Sequence, residues 1–263
     1  MLPHALERVS GWADAWRRTG RLVLLLDFDG TLAPIVERPE LAAMPDATRR
    51  ALDRLRALPG VEAAVVSGRG LADVRERAAI PGIAYAGNHG MEIHGPGIDR
   101  THPEAAAARP VLERAARDLV DAVSGIPGAF VEDKELTLSV HFRMVPRDRV
   151  DELHGIIRRV VDPLAGVHLT AGKEVIEVRP NVDWNKGKAV LFLLEQMRPP
   201  AGAPVLYFGD DRTDEDAFRA LGENGSGEGI LVDEHPPETS AASSYVREPA
   251  DVGQVFAALA EAQ

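Results

Sequence analysis

The stretch LVLLLDFDGTLAP, residues 22–34, combines a buried strand with two carboxylates. Leu22–Leu26 is apolar at every position, which is the pattern of a strand buried on both faces of a parallel sheet. Asp27 and Asp29 follow it directly, and a Gly-Thr pair comes next. Two like charges at the end of a buried strand repel each other strongly unless a proton or a cation lies between them. The stretch therefore predicts a parallel sheet with a charged site at its carboxyl edge.

The segments around this stretch alternate between buried strands and amphipathic helices. Apolar residues recur at helical spacing in PDATRRALDRLRAL (45–58), and a second buried strand, VEAAVVSGR, follows at 61–69. A third strand is predicted in GIAYAGNHGMEI, at 82–93, and the alternation resumes near the C-terminus with PVLYFG. Parallel strands joined by helices make right-handed crossovers. We therefore predict an α/β fold, with a Rossmann-like parallel-sheet core formed by residues 1–99 and 183–263.

Residues 100–182, here called the insert, follow a different pattern. Along its strands Leu138 and Val140 share one face, while Ser139 and His141 share the other. Such alternation is typical of antiparallel strands with one face in a core and the other in contact with water. Two amphipathic helical segments of the insert would cover the apolar face. We predict that the insert is a separate α+β domain placed within the core domain.

The composition excludes several classes of protein. The 263 residues contain no cysteine, which rules out disulfides, thiolate metal sites and a cysteine nucleophile. The net charge of −11 disfavours nucleic acid and anionic lipid as partners. The N-terminus lacks the apolar centre of a signal peptide, and no apolar run is long enough for a membrane span. We expect a monomeric, cytoplasmic protein that binds neither nucleic acid nor membranes.

Four chemically active fragments are predicted to meet at one edge of the core sheet. Three follow predicted strands and the fourth opens a helix: Asp27 with Asp29, Ser67-Gly68-Arg69, Asp210 with Asp214, and Lys186. Ligands of open α/β sheets bind in the crevice at the carboxyl ends of the strands. Carboxylate oxygens are the ligands that Mg²⁺ prefers, and an activated carboxylate can attack a phosphoryl group. This edge is therefore predicted to bind Mg²⁺ and a phosphorylated substrate.

The same fragments resemble known enzymes. Asp27-Phe28-Asp29-Gly30-Thr31 matches the D-x-D-G-T signature of the haloacid dehalogenase superfamily of phosphohydrolases. Ser67, Lys186 and GDDRTD (209–214) match the other motifs of that superfamily in order. VVSGR, GNHGMEI, EVRPNVDWNKGKA and YFGDDRTDEDAF further resemble the trehalose-6-phosphate phosphatase family. The resemblance implies a haloacid dehalogenase-like core, with the insert as the cap domain of the family.

The resemblance also implies roles for these residues. Asp27 would attack phosphorus to form an aspartyl-phosphate, and Asp29 would protonate the sugar leaving group and then activate water. Lys186 would stabilise charge on the transferring phosphoryl group. The implied Mg²⁺ ligands are Asp27, Asp29, Asp210 and Asp214. The implied phosphate-binding residues are Gly30, Thr31, Ser67, Gly68, Arg69 and Lys186.

The cap of the family holds the sugar, which implies a sugar site on the polar face of the insert. The candidate sugar-binding residues are Asn88, His89, Glu92, Glu132, Lys134, His141, Arg143 and Glu177. Each has a structural alternative. The charged side chains would form surface ion pairs, His89 would be a hydrogen-bonded loop residue, and His141 and Arg143 would be solvated strand residues.

Three functions remain as alternatives. The resemblance predicts a Mg²⁺-dependent phosphatase that hydrolyses trehalose 6-phosphate to trehalose and phosphate, in functional pairing with a trehalose-6-phosphate synthase. The same motifs would serve a phosphatase of another sugar phosphate, such as sucrose 6-phosphate or a glucosylglycerate phosphate. A sugar-phosphate sensor without hydrolytic activity would use the same fold, although the intact pair of Asp27 and Asp29 argues against it.

Overall fold

A computed structural model, which describes residues 2–263, contains an eight-stranded sheet. Its strands are β1 (Leu22–Leu26), β2 (Val61–Val66), β3 (Ala84–Gly87), β4 (Glu92–Gly95), β5 (Ile98–Thr101), β10 (Val205–Gly209), β11 (Glu228–Val232) and β12 (Ser244–Val246). The spatial order is β12-β11-β10-β1-β2-β3-β4-β5, with parallel pairing from β12 to β3. The α/β prediction is confirmed. Because the chain passes from β1 to β2 on one side and later returns to β10 on the other, β1 and β10 flank the switch point where ligands bind.

Helices pack on both faces of this sheet. They are α1 (Val9–Thr19), α2 (Asp46–Arg56), α3 (Leu71–Ala78), α7 (Lys186–Met197), α8 (Asp214–Glu223) and α9 (Pro249–Glu261). Alternate residues of β1 enter two different cores: Leu24 packs with α1, α2, α3 and α9, while Leu25 packs with α7 and α8. Burial on both faces explains why β1 is apolar throughout. No helix within residues 2–263 has both the length and the hydrophobicity needed to cross a bilayer.

The third predicted strand is two strands. Residues 82–93 contain β3 and β4, which pair in antiparallel orientation around a tight turn. Asn88, His89 and Gly90 all have positive φ in this turn, with values of 49°, 56° and 88°. The sequence marks this reversal with Gly87-Asn88-His89-Gly90, whose residue types are typical of a turn, between two short apolar segments. The prediction of one continuous strand is wrong.

The insert contains a separate antiparallel sheet with the order β6-β7-β9-β8. Its elements are α4 (Pro103–Ala107), α5 (Arg109–Val123), β6 (Phe130–Asp133), β7 (Leu138–His141), α6 (Val150–Val161), β8 (Val167–Gly172) and β9 (Val175–Pro180). Leu138 and Val140 pack with α5 and α6, as the alternation predicts. The strand β5 crosses the predicted boundary at residue 100 as the edge strand of the core sheet, so the domain boundaries stay a prediction.

Candidate active site

Three carboxylates meet beyond the carboxyl ends of the two central strands. Asp27 follows β1, Asp210 follows β10, and Asp214 opens α8. Each places an oxygen within 4.8 Å of an oxygen of the others, and their side chains are at most 7% exposed. An all-oxygen donor set of this size suits a hard divalent cation. These residues, called the carboxylate triad below, are a candidate site for such an ion.

Lys186 is the buried cation beside the carboxylate triad. Its Nζ donates to Asp27 Oδ1 at 2.9 Å and to Asp214 Oδ1 at 2.7 Å. Lys186 is the first residue of α7, where Asn185 caps the helix by accepting a hydrogen bond from the Lys188 amide. A cation at a helix N-terminus opposes the helix dipole, so the carboxylates stabilise it there. Burial alone would lower the pKa of Lys186, but the charges of Asp214 and Asp27 hold it well above its usual value.

The carboxylate triad has more negative charge than its lysine can neutralise. Burial raises the pKa of Asp27 well above its usual range, and Lys186 opposes this shift. Burial, followed by the charge of Asp214, raises the pKa of Asp210 to about 7. Groups in this situation take up a proton or bind a cation. A divalent cation therefore fits the donor set and the charge of this site.

Asp214 is fixed by the strand and turn that precede it. The Tyr207 hydroxyl donates to its Oδ1 at 2.6 Å, and the amides of Asp210 and Asp211 donate to its Oδ2, both at 3.0 Å. Gly209 allows this approach, because a Cβ there would lie 2.3 Å from the Asp214 carboxyl carbon. Partners of this kind orient metal ligands. Sequence reasoning missed Tyr207, because it lies in an otherwise apolar strand.

The loop after Asp27 approaches the carboxylate triad closely at Gly30. This residue has a φ of +76°, and a Cβ would lie 2.1 Å from Asp210 Oδ2. Its amide donates to the Ala33 carbonyl at 2.7 Å, so Gly30 contributes close approach rather than a free donor. The next hydroxyl, Thr31 Oγ1, is buried without a hydrogen-bond partner among the described residues. An unpaired buried hydroxyl of this kind is consistent with a ligand oxygen as its partner.

The turn after β2 supplies a serine and an arginine. Ser67 is buried, and its Oγ accepts a hydrogen bond from the Arg69 amide at 3.2 Å, which leaves the hydroxyl proton available. The Arg69 guanidinium donates to the Asp29 carboxylate at 2.6 and 2.7 Å and to Asp73 at 2.5 Å. Because carboxylates engage this guanidinium, a phosphate contact by Arg69 stays a prediction.

Polar side chains of the insert contact the core beside this turn. Glu177 of β9 lies 2.9 Å from His89 Nε2 and accepts from Lys134 Nζ at 3.3 Å. Lys134 also donates to the Gly68 carbonyl at 3.1 Å. Burial would raise the pKa of Glu177, but the nitrogens of His89 and Lys134 hold it well below its usual value. The structure thus brings three predicted sugar-binding residues together next to the predicted phosphate loop.

Asn88 and Glu92 connect the β3–β4 turn to the insert. The Asn88 amide nitrogen donates to Glu92 Oε2 at 2.8 Å and to the Lys134 carbonyl at 2.9 Å. Its oxygen accepts from the Thr137 hydroxyl at 2.7 Å. These bonds satisfy the buried amide within the protein. Sugar contacts by Asn88 and Glu92 therefore stay a prediction.

A second polar pair lies on the same face of the insert sheet. His141 Nε2 lies 2.7 Å from Glu132 Oε2, and Glu132 and Glu177 are joined in register through Ser139 of the strand between them. The Phe130 ring stacks on His141 with centroids 4.4 Å apart and 12° between the planes. Phe130 is 37% exposed. Sequence reasoning missed it, although its position two residues before Glu132 places it on the polar face.

The β8–β9 hairpin of the insert reaches the carboxylate triad. Lys173 Nζ donates to Asp210 Oδ2 at 2.6 Å and to the Asp210 carbonyl at 3.3 Å. The next residue, Glu174, pairs with Arg143 at 3.2 Å and with Arg147 at 2.7 Å. The predicted sugar contact of Arg143 thus stays a prediction, since its guanidinium is paired within the insert. Lys173 was missed, because a Gly-Lys-Glu sequence is an ordinary turn.

A large open cavity of about 1060 Å³ lies elsewhere on the molecule. It is lined by α1, the end of α7 and the start of β10. Trp12 Nε1 donates to Glu228 Oε1 at 3.0 Å at its wall. The cavity contains none of the predicted site residues, so it does not belong to the candidate active site.

Comparisons with known proteins agree with the geometry. Residues 25–250 match the trehalose-phosphatase family. The chain belongs to this family. A trehalose-phosphate phosphatase of Mycobacterium marinum is 42% identical over 245 residues, which cover 91% of this chain and 62% of that relative. A probable trehalose-phosphate phosphatase of Oryza sativa subsp. japonica is 38% identical over 268 residues, which cover 98% of this chain and 71% of that relative.

The structural comparison gives the same family. The C-terminal domain of a trehalose-6-phosphate phosphatase from C. albicans superimposes with a TM-score of 0.81 at 25% identity. The match covers 99% of this chain and 98% of that domain. The trehalose-phosphatase resemblance predicted from the sequence motifs is therefore confirmed. This member of the trehalose-phosphatase family spans 62% of the length of its M. marinum relative.

Proposed function

We propose that this protein is a Mg²⁺-dependent phosphatase that hydrolyses trehalose 6-phosphate to trehalose and phosphate. The position of Asp27 carries the proposal. Its carboxylate follows the central strand, lies 2.9 Å from the buried ammonium of Lys186, and shares a 4.8 Å cluster with Asp210 and Asp214. The residues proposed as nucleophile, counter-charge and metal ligands thus lie close together, which supports the proposal. Family membership supports the choice of substrate.

The phosphoryl group would bind between Asp27 and the donors around it. The proposed hydrogen-bond donors to the phosphoryl oxygens are Lys186, the hydroxyls of Ser67 and Thr31, and the loops at Gly30 and Gly68-Arg69. Mg²⁺, held by Asp27, the Asp29 carbonyl, Asp210 and Asp214, would neutralise the charge of the phosphoryl oxygens. Lys186 would stay protonated and stabilise the charge that spreads over those oxygens during transfer.

Asp27 and Asp29 would share the bond-making steps. An oxygen of Asp27 forms a bond to phosphorus as the bond between phosphorus and the sugar oxygen breaks, giving an aspartyl-phosphate. Asp29 gives its proton to the departing sugar oxygen. The Asp29 carboxylate then takes a proton from water, whose oxygen attacks phosphorus and releases Asp27 and phosphate. Both residues return to their starting protonation states.

The insert would act as the cap that holds the sugar. Its polar face carries Glu177, Lys134 and the Glu132–His141 pair, which offer acceptors and donors to sugar hydroxyls. Glu177 contacts His89 and Lys134 contacts Gly68, and these contacts would hold the insert closed over the proposed phosphate loop. A closed cap excludes water until the alcohol product leaves.

The charge of the chain limits the partners of the proposed enzyme. The acidic chain, with its net charge of −11, supports neither nucleic acid nor an anionic membrane as a partner. We propose a monomeric, cytoplasmic enzyme that is paired in function with a trehalose-6-phosphate synthase, whose product would be its substrate.

A substrate panel tests this function. Phosphate release would be measured on trehalose 6-phosphate, sucrose 6-phosphate, a glucosylglycerate phosphate and glucose 6-phosphate, with Mg²⁺ and with excess chelator. We expect the wild type to hydrolyse trehalose 6-phosphate with Mg²⁺ and to lose this activity with chelator. The Asp27→Asn variant should be inactive although its circular dichroism spectrum, and thus its fold, is unchanged. Faster release from another sugar phosphate would replace the proposed substrate. Binding of trehalose 6-phosphate without phosphate release would favour the sensor.

A further inference from the structure

We propose that Lys173 is a positioning residue that competes with the divalent cation for Asp210 and thereby couples closure of the insert to the charge of the metal site. The inference rests on the proposed function, because it takes the carboxylate triad to be the metal site. Lys173 belongs to the insert and lies outside all of the recognised motifs.

The contact joins two parts of the molecule. Lys173 lies at the tip of the β8–β9 hairpin, between Gly172 and Val175, whereas Asp210 directly follows the core strand β10. The Lys173 side chain is 57% exposed, whereas that of Asp210 is only 7% exposed. The lysine therefore reaches a buried carboxylate from outside, and the contact exists only while the insert lies over the site.

The insert holds the hairpin in position for this contact. Glu174, which follows Lys173, has a φ of 59° and pairs with Arg143 at 3.2 Å and Arg147 at 2.7 Å. These two arginines belong to the insert, so the hairpin moves with it. Withdrawal of the insert would remove the ammonium from Asp210.

Lys173 differs from the other cations around the site. Lys186 is buried between two members of the carboxylate triad. The Arg69 guanidinium pairs with Asp29, and Lys134 pairs with Glu177 where the insert contacts the core. Lys186 also shares its anions with the proposed cation, but it is only 3% exposed and belongs to the core helix α7. Lys173 is exposed and belongs to the insert, so it can leave the shared carboxylate when the insert withdraws.

The electrostatics give this contact a direction. An ammonium and a divalent ion on the same carboxylate repel each other, so the metal site and the Lys173–Asp210 ion pair oppose one another. A bound phosphoryl dianion reverses the balance, because it brings negative charge that an additional cation stabilises. Closure of the insert is therefore favoured when the site holds no metal ion, and again when it holds both the metal ion and phosphate. Closure is disfavoured when the site holds the metal ion alone. The metal-loaded site is then open to its substrate.

Calorimetric titration of Mg²⁺ into the metal-free, substrate-free protein tests this inference. Lys173→Met should bind Mg²⁺ about 3- to 10-fold more tightly than the wild type, and Lys173→Arg should bind like the wild type. The difference should shrink in about 0.5 M salt, because exposed charges are screened. Lys188→Met is the matched control, since Lys188 pairs with the exposed Asp183, and it should leave the Mg²⁺ affinity unchanged.

A second titration, of inorganic phosphate into the Mg²⁺-saturated protein, should show the opposite effect, with about 3- to 10-fold weaker binding by Lys173→Met. Unchanged or weaker Mg²⁺ binding by a folded Lys173→Met would overturn the inference, and so would unchanged phosphate binding. If the wild type hydrolyses its substrate while Lys173→Met binds Mg²⁺ like the wild type, only this inference fails. If the wild type binds no Mg²⁺, the proposed function fails with it.

Discussion

The guanidinium of Arg69 binds both carboxylate oxygens of Asp29, with Nε 2.6 Å from Oδ2 and Nη2 2.7 Å from Oδ1. Arg69 is 5% exposed, and two of its other N–H groups donate to Asp73 and to the Pro39 carbonyl. A planar fork of this kind fixes both the position and the rotation of a carboxylate. Arg69 thus fixes the position of the Asp29 carboxylate, the proposed acid and base, before the substrate binds.

Replacement of Arg69 should therefore slow the reaction although the reacting carboxylates, Asp27 and Asp29, remain in place. We expect Arg69→Met to lower kcat by about 10- to 100-fold, the usual effect of removing a group that orients an active residue. Arg69→Lys should recover only part of the loss, since an ammonium cannot bind both oxygens in a fork. The control is Arg77→Met, which also loses a contact with Asp73 but none with Asp29. Activity of Arg69→Met within twofold of the wild type would contradict this role.

Gly30 should be essential for Mg²⁺ binding because a larger side chain would clash with Asp210, and not because of its backbone conformation. A Cβ at Gly30 would lie 2.1 Å from Asp210 Oδ2, and the residue has a φ of +76°. Gly97 has a φ of +74° but nothing within 4 Å of its added Cβ. Alanine at either position should cost about 1 to 3 kcal/mol of stability through backbone strain. Only Gly30→Ala should also lose Mg²⁺ binding, as measured by calorimetry; equal Mg²⁺ affinities of the two variants would refute the spatial explanation.

The carboxylate triad and Lys186 could be predicted from the sequence because each has a strong local context. Asp27 and Asp210 directly follow apolar strands, and parallel strands end at a common edge. Asp214 and Lys186 open helices that start at that edge. Burial on both faces makes these strands recognisable, so a motif at the end of each can be placed without knowing any distance.

The partners of these residues could not be predicted in the same way. Arg69 and Asp29 are 40 positions apart, and Lys173 and Asp210 are 37 apart. No periodicity connects such pairs. The pairing of β1 with β2 brings Asp29 and Arg69 together, and the approach of the insert to the core brings Lys173 to Asp210. The turn at Asn88 was missed for a different reason: Gly87-Asn88-His89-Gly90 is a turn signal, but the short apolar segments on its two sides together resemble one strand.

Phe130 should contribute to the choice of a disaccharide. Its ring is fixed on one face by His141, which Glu132 holds, while 37% of the residue remains exposed beside the proposed sugar face. An aromatic face of this kind packs against the C–H groups of a sugar ring. Phe130→Ala should raise the KM for trehalose 6-phosphate by about 3- to 10-fold and leave hydrolysis of a small aryl phosphate unchanged.

The control for Phe130 is Val120→Ala, which shortens an apolar side chain that is 52% exposed on the outer side of α5. Val120→Ala should change neither the KM for trehalose 6-phosphate nor the hydrolysis of the aryl phosphate. Phe130→Trp should keep the wild-type KM because it retains an aromatic face. Equal effects of Phe130→Ala on both substrates would show that the ring supports the fold of the insert instead of the sugar.

Glu177 should stabilise the closed insert in a way that depends on pH. Its pKa is held well below the ordinary value of 4.5 by His89 and Lys134, so its stabilisation is complete above about pH 4.5 and is lost as pH falls through the lowered pKa. Glu177→Gln should lower the free energy of unfolding by about 2 kcal/mol at neutral pH, as measured with urea. The titration of the Glu177 carboxyl should make this difference shrink steadily as pH falls below about 4.5. The exposed Glu113→Gln, which breaks a surface pair with Arg109, should cost less than about 0.5 kcal/mol throughout. A deficit of Glu177→Gln that is as large at pH 3.5 as at pH 7 would show that packing, and not the charge of Glu177, joins the insert to the core.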